Sequence, residues 1–199
     1  MNLYFARISD VLPRHRDMLS PERRLKAARF KMPDDQKRCI VGGVLIRHFL
    51  PHAVITDNGF GKPIADGVGF NLSHSGDWVV LAVSKTVVGC DIERLKPVCY
   101  QKMGKIVFTD TEMAVMHCAM DKMTAFYTLW TKKEALLKCI GEGFHRPAKS
   151  VDVSGSCFSD GGKTYFLKKI PFADYIVSVC GEDTDFKVKT TLVNLRKIS

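Results

Sequence analysis

The sequence predicts an α+β fold of two similar lobes, each with helices packed on a small antiparallel sheet. Three observations predict it. Stretches with apolar residues at helical spacing are interspersed with short runs of strand character. The second half of the chain repeats the order of the first, helices and then strands, which fits two α+β units side by side. A chain of 199 residues has room for one substantial core or two small ones, since domains commonly run to about 100–150 residues. The division is expected near residue 94, with a first lobe over 1–94 and a second over 95–199.

A short first strand covers residues 3–8. Ser20-Pro21-Glu22 marks a helix start, with Ser as N-cap and Pro at the first helical position. The helix that follows is crowded with Arg23, Arg24, Lys26, Arg29 and Lys31. A second helix begins near Asp34, carries Ile40, Val41, Val44, Leu45, His48 and Phe49 at helical spacing, and is ended by Pro51. Residues 57–63 are rich in turn formers and read as a loop, after which strands are expected at 69–72, 78–84 and 87–92. Residues 95–107 show no strong period and read as the link between the halves, with Lys96, Lys102 and Lys105 beside the apolar Tyr100, Met103 and Ile106. Thr109-x-x-Glu112 has the form of a capping box. A longer helix runs from about residue 124 to 140, where Gly141 stops it. Strands over 164–169, 175–179 and 186–193 complete the second half.

Lys and Arg number 30 against 21 Asp and Glu, a formal charge of +9, which favours an anionic partner. A nucleic-acid-binding module shares the basic helix, but it leaves the acidic residues of the same half without a purpose. No Gly-x-x-x-x-Gly-Lys-Ser/Thr loop is present for a nucleotide-binding phosphotransferase of that type. The seven cysteines are odd in number and lack a Cys-x-x-Cys pair, which argues against a disulfide framework or a zinc site and for a reducing cytoplasm. The amino terminus has no basic region leading into a long apolar stretch, and no uncharged run reaches the roughly 18–20 residues of a spanning helix. The expectation is a cytoplasmic protein with no membrane and no nucleic-acid partner.

Two segments carry the chemistry. Asp91 and Glu93 lie two apart at the end of an apolar run, so on a strand both leave one face while Ile92 enters the core. Glu134 and Lys138 are one turn apart on the long helix and share a face. Three hard oxygen donors without a neighbouring Cys or His pattern suit Mg²⁺, with Mn²⁺ as the alternative ion; Mg²⁺ keeps waters and takes further ligands from substrate phosphates. Taken singly, each segment reads equally well as a strand end or an ordinary helical ion pair. Asn71-Leu72-Ser73-His74-Ser75-Gly76 reads as a tight turn between strands whose amides and hydroxyls can donate to an anion. A plain Ser/Gly hairpin is the alternative there, and a solvated turn lysine is the alternative for Lys62. His48 and His52 flank the break at Pro51 and read as structural, Leu129, Trp130, Leu136 and Leu137 as core, and the cysteines as small buried hydrophobes.

In this order the pieces resemble the 4'-phosphopantetheinyl transferases, specifically the two-lobed surfactin-synthetase-activating type. The landmarks are Ser20-Pro21-Glu22-Arg23, Gly61-Lys62-Pro63, Phe70 through Gly76, Gly89-Cys90-Asp91-Ile92-Glu93, Phe108-x-x-x-Glu112 and Trp130-x-x-Lys133-Glu134-Ala135-x-x-Lys138. Cys90 departs from the family's usual Val or Ile. The resemblance covers most of the chain, weakly after about residue 150. It implies transfer of the phosphopantetheine arm of coenzyme A to a serine of an acyl or peptidyl carrier protein, releasing 3',5'-ADP. It further implies that Asp91, Glu93 and Glu134 hold the metal and that Lys138 meets the pyrophosphate. Arg23, Lys26, Arg38, Lys62, Ser73 and His74 would surround the nucleotide and its 3'-phosphate, in a monomer whose site lies between its lobes. Glu134 is the preferred base for the serine proton, acting directly or through a coordinated water.

Overall fold

The first strand, β1 (Asn2–Arg7), is followed by α1 (Arg14–Asp17), α2 (Pro21–Ala28) and α3 (Pro33–Phe49). Strands β2 (Ile55–Asp57), β3 (Pro63–Ala65), β4 (Gly69–Ser75), β5 (Trp78–Ser84) and β6 (Val88–Arg94) come next. The second half runs α4 (Tyr100–Val107), α5 (Asp110–Cys118), α6 (Lys122–Ile140), β7 (Cys157–Asp160), β8 (Lys163–Phe172), β9 (Tyr175–Gly181) and β10 (Lys189–Val193). This computed structural model describes residues 1–198, and its class is α+β, as the sequence predicts.

The local signals act as expected at several ends. The Ser20 side chain accepts from the Arg23 N–H at the start of α2, and both arms of the Thr109–Glu112 capping box form at the start of α5. Gly141 terminates α6 with φ +90°, a conformation that glycine adopts without a Cβ penalty.

Two four-stranded sheets form, in the orders β10-β1-β5-β4 and β6-β9-β8-β7, beside a β2–β3 hairpin. Strand alternation sorts the side chains into three cores. Ala6, Val79 and Leu81 on one face of the first sheet pack on Val41, Val44 and Leu45 of α3. Leu3, Phe5, Val80 and Ala82 on its other face meet Val88, Ile92, Val177 and Val179 of the second sheet. The far face of that second sheet, with Leu167 and Ile176, receives Leu129, Ala135 and Leu136 of α6.

Several expectations are corrected. β6 runs to Arg94, beyond the expected end at residue 92, and its backbone pairs antiparallel with β9 and not with the strands before it. The last strand, β10, returns to the first sheet and pairs parallel with β1. Residues 95–107 hold a helix, α4, whose start lacks a side-chain cap and so gives no start signal. The loop over 57–63 is bounded by the three-residue strands β2 and β3, too short to declare a period. Asn71 to Ser75 is strand, paired with β5 throughout, and only Gly76 and Asp77 turn. Four cysteines are buried as expected, whereas Cys99, Cys118 and Cys157 are exposed.

Candidate active site

Helix α6 lies directly on β6, and a glycine permits it. A Cβ at Gly89 would fall 1.9 Å from the Ala135 carbonyl oxygen, so any side chain there would lift the helix away. With the helix seated, Lys138 reaches over the strand. Its Nζ donates to Asp91 Oδ1 at 2.6 Å and, at longer range, to Ser73 Oγ and the Cys90 carbonyl. Burial pulls the Lys138 pKa down, but the Asp91 carboxylate, with Cys90 and Glu134, outweighs it and leaves the ammonium above its ordinary value.

Asp91 itself is only 4% exposed. One of its oxygens is tied to Ser73 and Lys138, while the other, Oδ2, is buried and has no hydrogen-bond partner. A buried carboxylate oxygen without a donor is costly, which makes it a mark of an interaction still to be made. Glu93 accepts from Ser75 Oγ at 2.7 Å. Burial raises its pKa against the pull of that hydrogen bond, and the negative charge of Asp91 adds to the rise. Glu134 is likewise raised, first by burial and then by Asp91, with Lys138 opposing. Glu93 and Glu134 therefore both feel the charge of Asp91, and burial holds both carboxyls above their ordinary values.

Helices α2 and α3 and strand β4 enclose a cavity of about 250 Å³ lined by Arg23, Lys26, Arg38 and His74, with Asp35 as its acidic member. Arg38 is held by Asp35 at 2.6 Å and by the Gly76 carbonyl, so it is presented rigidly. Arg23 lies across α3, its Nε on the Cys39 carbonyl. Gly42 and Gly43 make that possible, since Cβ atoms there would fall 2.7–2.8 Å from the Arg23 side chain. Burial, then Arg38 and Lys138, lower the His74 pKa, which favours the neutral imidazole.

Two residues expected around the nucleotide have other partners. Lys62 does not line the cavity; its Nζ donates to the Cys139 and Val88 carbonyls and, with Asn58 on the Gly141 carbonyl, caps the end of α6. A cation suits that end of a helix. Ser73 is buried, and its one hydroxyl proton goes to Asp91. Sequence reasoning missed both the paired glycines of α3 and the polar face of β4. The available signals were Gly42-Gly43 inside a helical pattern and the alternation of Asn71, Ser73 and Ser75.

Glu112 and Lys133, both in the quoted landmarks, form a separate buried ion pair at 2.8 Å, with side chains 0% and 4% exposed. Glu112 also accepts from the Thr109 and Val153 N–H groups, and Lys133 donates to the Ala148 and Val151 carbonyls. Each member of that pair has hydrogen-bond partners within the protein, although burial still lowers the Lys133 pKa against the pull of Glu112.

The cluster around Asp91 fits a divalent cation. Among the described residues, no three His, Cys, Asp or Glu side chains converge into a ready-made cage. Mg²⁺ does not require one, since it retains waters and completes its octahedron on phosphate oxygens. The donor set is all oxygen, and Asp91 Oδ2 offers the free lone pairs. Among the same residues, no helix is long and apolar enough to cross a membrane.

Comparison with known proteins bears on the same residues. Residues 87–188, which carry Asp91, Glu93, Glu134 and Lys138, match the family described as the 4'-phosphopantetheinyl transferase superfamily. The 4'-phosphopantetheinyl transferase Sfp of Bacillus subtilis (strain 168) is 30% identical over 207 residues, 93% of this chain and 92% of that protein. A Bacillus subtilis 4'-phosphopantetheinyl transferase is 32% identical over 189 residues, 84% of each chain. The 4'-phosphopantetheinyl transferase psf-1 of Bacillus pumilus is 36% identical over 137 residues, 63% of this chain and 59% of that protein. With one relative aligned nearly end to end and the family match covering residues 87–188, the chain belongs to the 4'-phosphopantetheinyl transferase superfamily of enzymes.

Proposed function

We propose that the chain transfers the 4'-phosphopantetheine arm of coenzyme A to a serine of an apo carrier protein, with Mg²⁺ or Mn²⁺, and releases 3',5'-ADP. The observation that carries this reading is Asp91 Oδ2, a buried acceptor without a donor, and the basic cavity lined by α2, α3 and β4 supports it. Arg23, Lys26, Arg38 and His74 take the nucleotide and its phosphates. Lys62 and Ser73 act through other groups, Lys62 by holding the end of α6 and Ser73 by holding Asp91.

Phosphoryl transfer asks a protein mainly for alignment and for positive charge against the oxygens. Asp91, Glu93 and Glu134 would hold the ion, which supplies that charge on the diphosphate. Lys138, already over the same face of β6, neutralises a second diphosphate oxygen. The serine oxygen attacks the phosphorus bearing the pantetheine arm, the bond to the 3',5'-ADP oxygen breaks, and Glu134 takes the serine proton. Glu134 comes from α6, independently of the strand that carries Asp91 and Glu93, which suits it to take that proton.

The carrier is expected on the α4 side. Lys102 and Lys105 are exposed there beside Met103 and Ile106, which are 39% and 68% exposed, and such a mixed face suits an acidic, partly apolar partner. In this reading the protein acts as a cytoplasmic monomer, residues 1–94 serving the nucleotide and 95–199 the carrier. The test is to incubate the protein with coenzyme A, Mg²⁺ and a panel of apo-carriers and to weigh the carriers. The expected result is a gain of one phosphopantetheine on at least one carrier; no gain on any would overturn the reading. Glu134→Gln should lower turnover by about a hundredfold or more at saturating Mg²⁺, and near-normal turnover would remove Glu134 as the base.

A further inference from the structure

β6 has one edge that β9 does not use, and along it the expected backbone ladder is replaced by side chains. The N–H groups of Cys90, Ile92 and Arg94 donate to Asn71 Oδ1, Ser73 Oγ and Ser75 Oγ of β4 at 2.9, 3.3 and 3.1 Å. The spacing is two on both strands, so one face of β4 acts as a comb that sets the register of β6. The two serines do a second thing. Ser73 Oγ donates to Asp91 at 2.8 Å and Ser75 Oγ donates to Glu93 at 2.7 Å. A hydroxyl has one proton and two lone pairs. In each serine a lone pair is taken by a backbone N–H and the proton by the carboxylate of the residue just before that N–H, so the backbone orients the hydroxyl and the hydroxyl orients the carboxylate.

We propose that Ser75 is a positioning residue, which fixes the Glu93 carboxylate for the divalent ion through this seam, as Ser73 does for Asp91. The proposal rests on the metal-site reading above and adds a cause for its geometry. Glu93 needs such a device more than Asp91 does. It is longer, less buried and has no lysine on it, so without Ser75 its carboxylate loses the hydrogen bond that selects one orientation. Ser75 is also the position that can be tested cleanly. Removing the Ser73 hydroxyl would strand a buried Ile92 N–H, whereas the Arg94 N–H lies near the surface, where water can replace Ser75.

The experiment is a titration of the full chain with Mn²⁺, in the presence and absence of coenzyme A, followed by the electron paramagnetic resonance of free Mn²⁺. Ser75→Ala is expected to weaken Mn²⁺ binding about tenfold, the scale on which partners of metal ligands act. Ser75→Thr keeps the hydroxyl and should bind within about twofold of the unsubstituted chain. Ser75→Cys, a weaker donor of similar size, should fall between them and serves if the alanine variant folds poorly. Wild-type Mn²⁺ affinity in Ser75→Ala, whether or not its thermal midpoint falls, would overturn the positioning role. Asp91→Asn, run alongside, separates the two readings: undiminished Mn²⁺ binding there removes the metal site itself, and the proposal with it.

Discussion

Two of the lysines of helix α6, Lys133 and Lys138, stand five positions apart, and each meets a buried carboxylate from another element. The two pairs nevertheless serve opposite ends. Glu112 and Lys133 bond one another, the Thr109 N–H and the backbone of residues 148–153, so they tie α5, α6 and the following segment into one body. Asp91 and Lys138 leave Asp91 Oδ2 without a donor, and Lys138 remains 28% exposed on the open side. What distinguishes a site from a strut here is whether the protein itself answers the charge. A fully answered pair has nothing left to offer a ligand, and an incompletely answered one is stabilised when a ligand arrives.

Asp91→Asn should therefore cost on the order of a thousandfold in turnover while the thermal midpoint stays near that of the unsubstituted protein. Carrier modification followed by mass and thermal unfolding followed by circular dichroism read the two quantities separately. A large loss of stability with activity per folded molecule intact would break the contrast. Glu112→Gln should behave in the reverse way. It leaves the Lys133 charge buried without its partner, which costs about 3–5 kcal/mol in denaturant unfolding, while the surviving folded fraction turns over normally. The smallest effect is expected outside both pairs. Exchanging Lys102 and Lys105 for Glu should raise the carrier KM roughly tenfold, as rim charges act mainly on encounter, and leave the coenzyme A KM unchanged. Equal changes in both constants would place α4 in the nucleotide site and not at a docking face.

The parts of this arrangement differ in how plainly the sequence states them. α6, its glycine stop and the capping box of α5 are local: each depends on residues within a few positions of one another. The carboxylates and the lysine were legible for the same reason, as two apart on a strand and four apart on a helix. The sheet that β6 joins was not legible, because its backbone partner, β9, lies more than eighty positions away. Its contact with β4 runs through side chains, a pattern that strand periodicity does not encode. Asn71, Ser73 and Ser75 resembled a turn by composition, and only the neighbouring strand, whose N–H groups they receive, explains why polar residues occupy a strand there. The resemblance implies a place for Lys62 at the nucleotide, with a solvated turn lysine as the alternative; neither reading points to the Cys139 carbonyl near the end of α6, which arrives from a segment far along the chain.

The most direct measurement is a crystal structure of the protein with coenzyme A and Mg²⁺ bound. The expected density is an ion about 2.1 Å from Asp91 Oδ2, also reached by Glu93 and Glu134, with the coenzyme A diphosphate on its remaining positions and Lys138 against the same diphosphate. An ion or diphosphate bound elsewhere, with Asp91 Oδ2 still lacking a partner, would contradict the assignment.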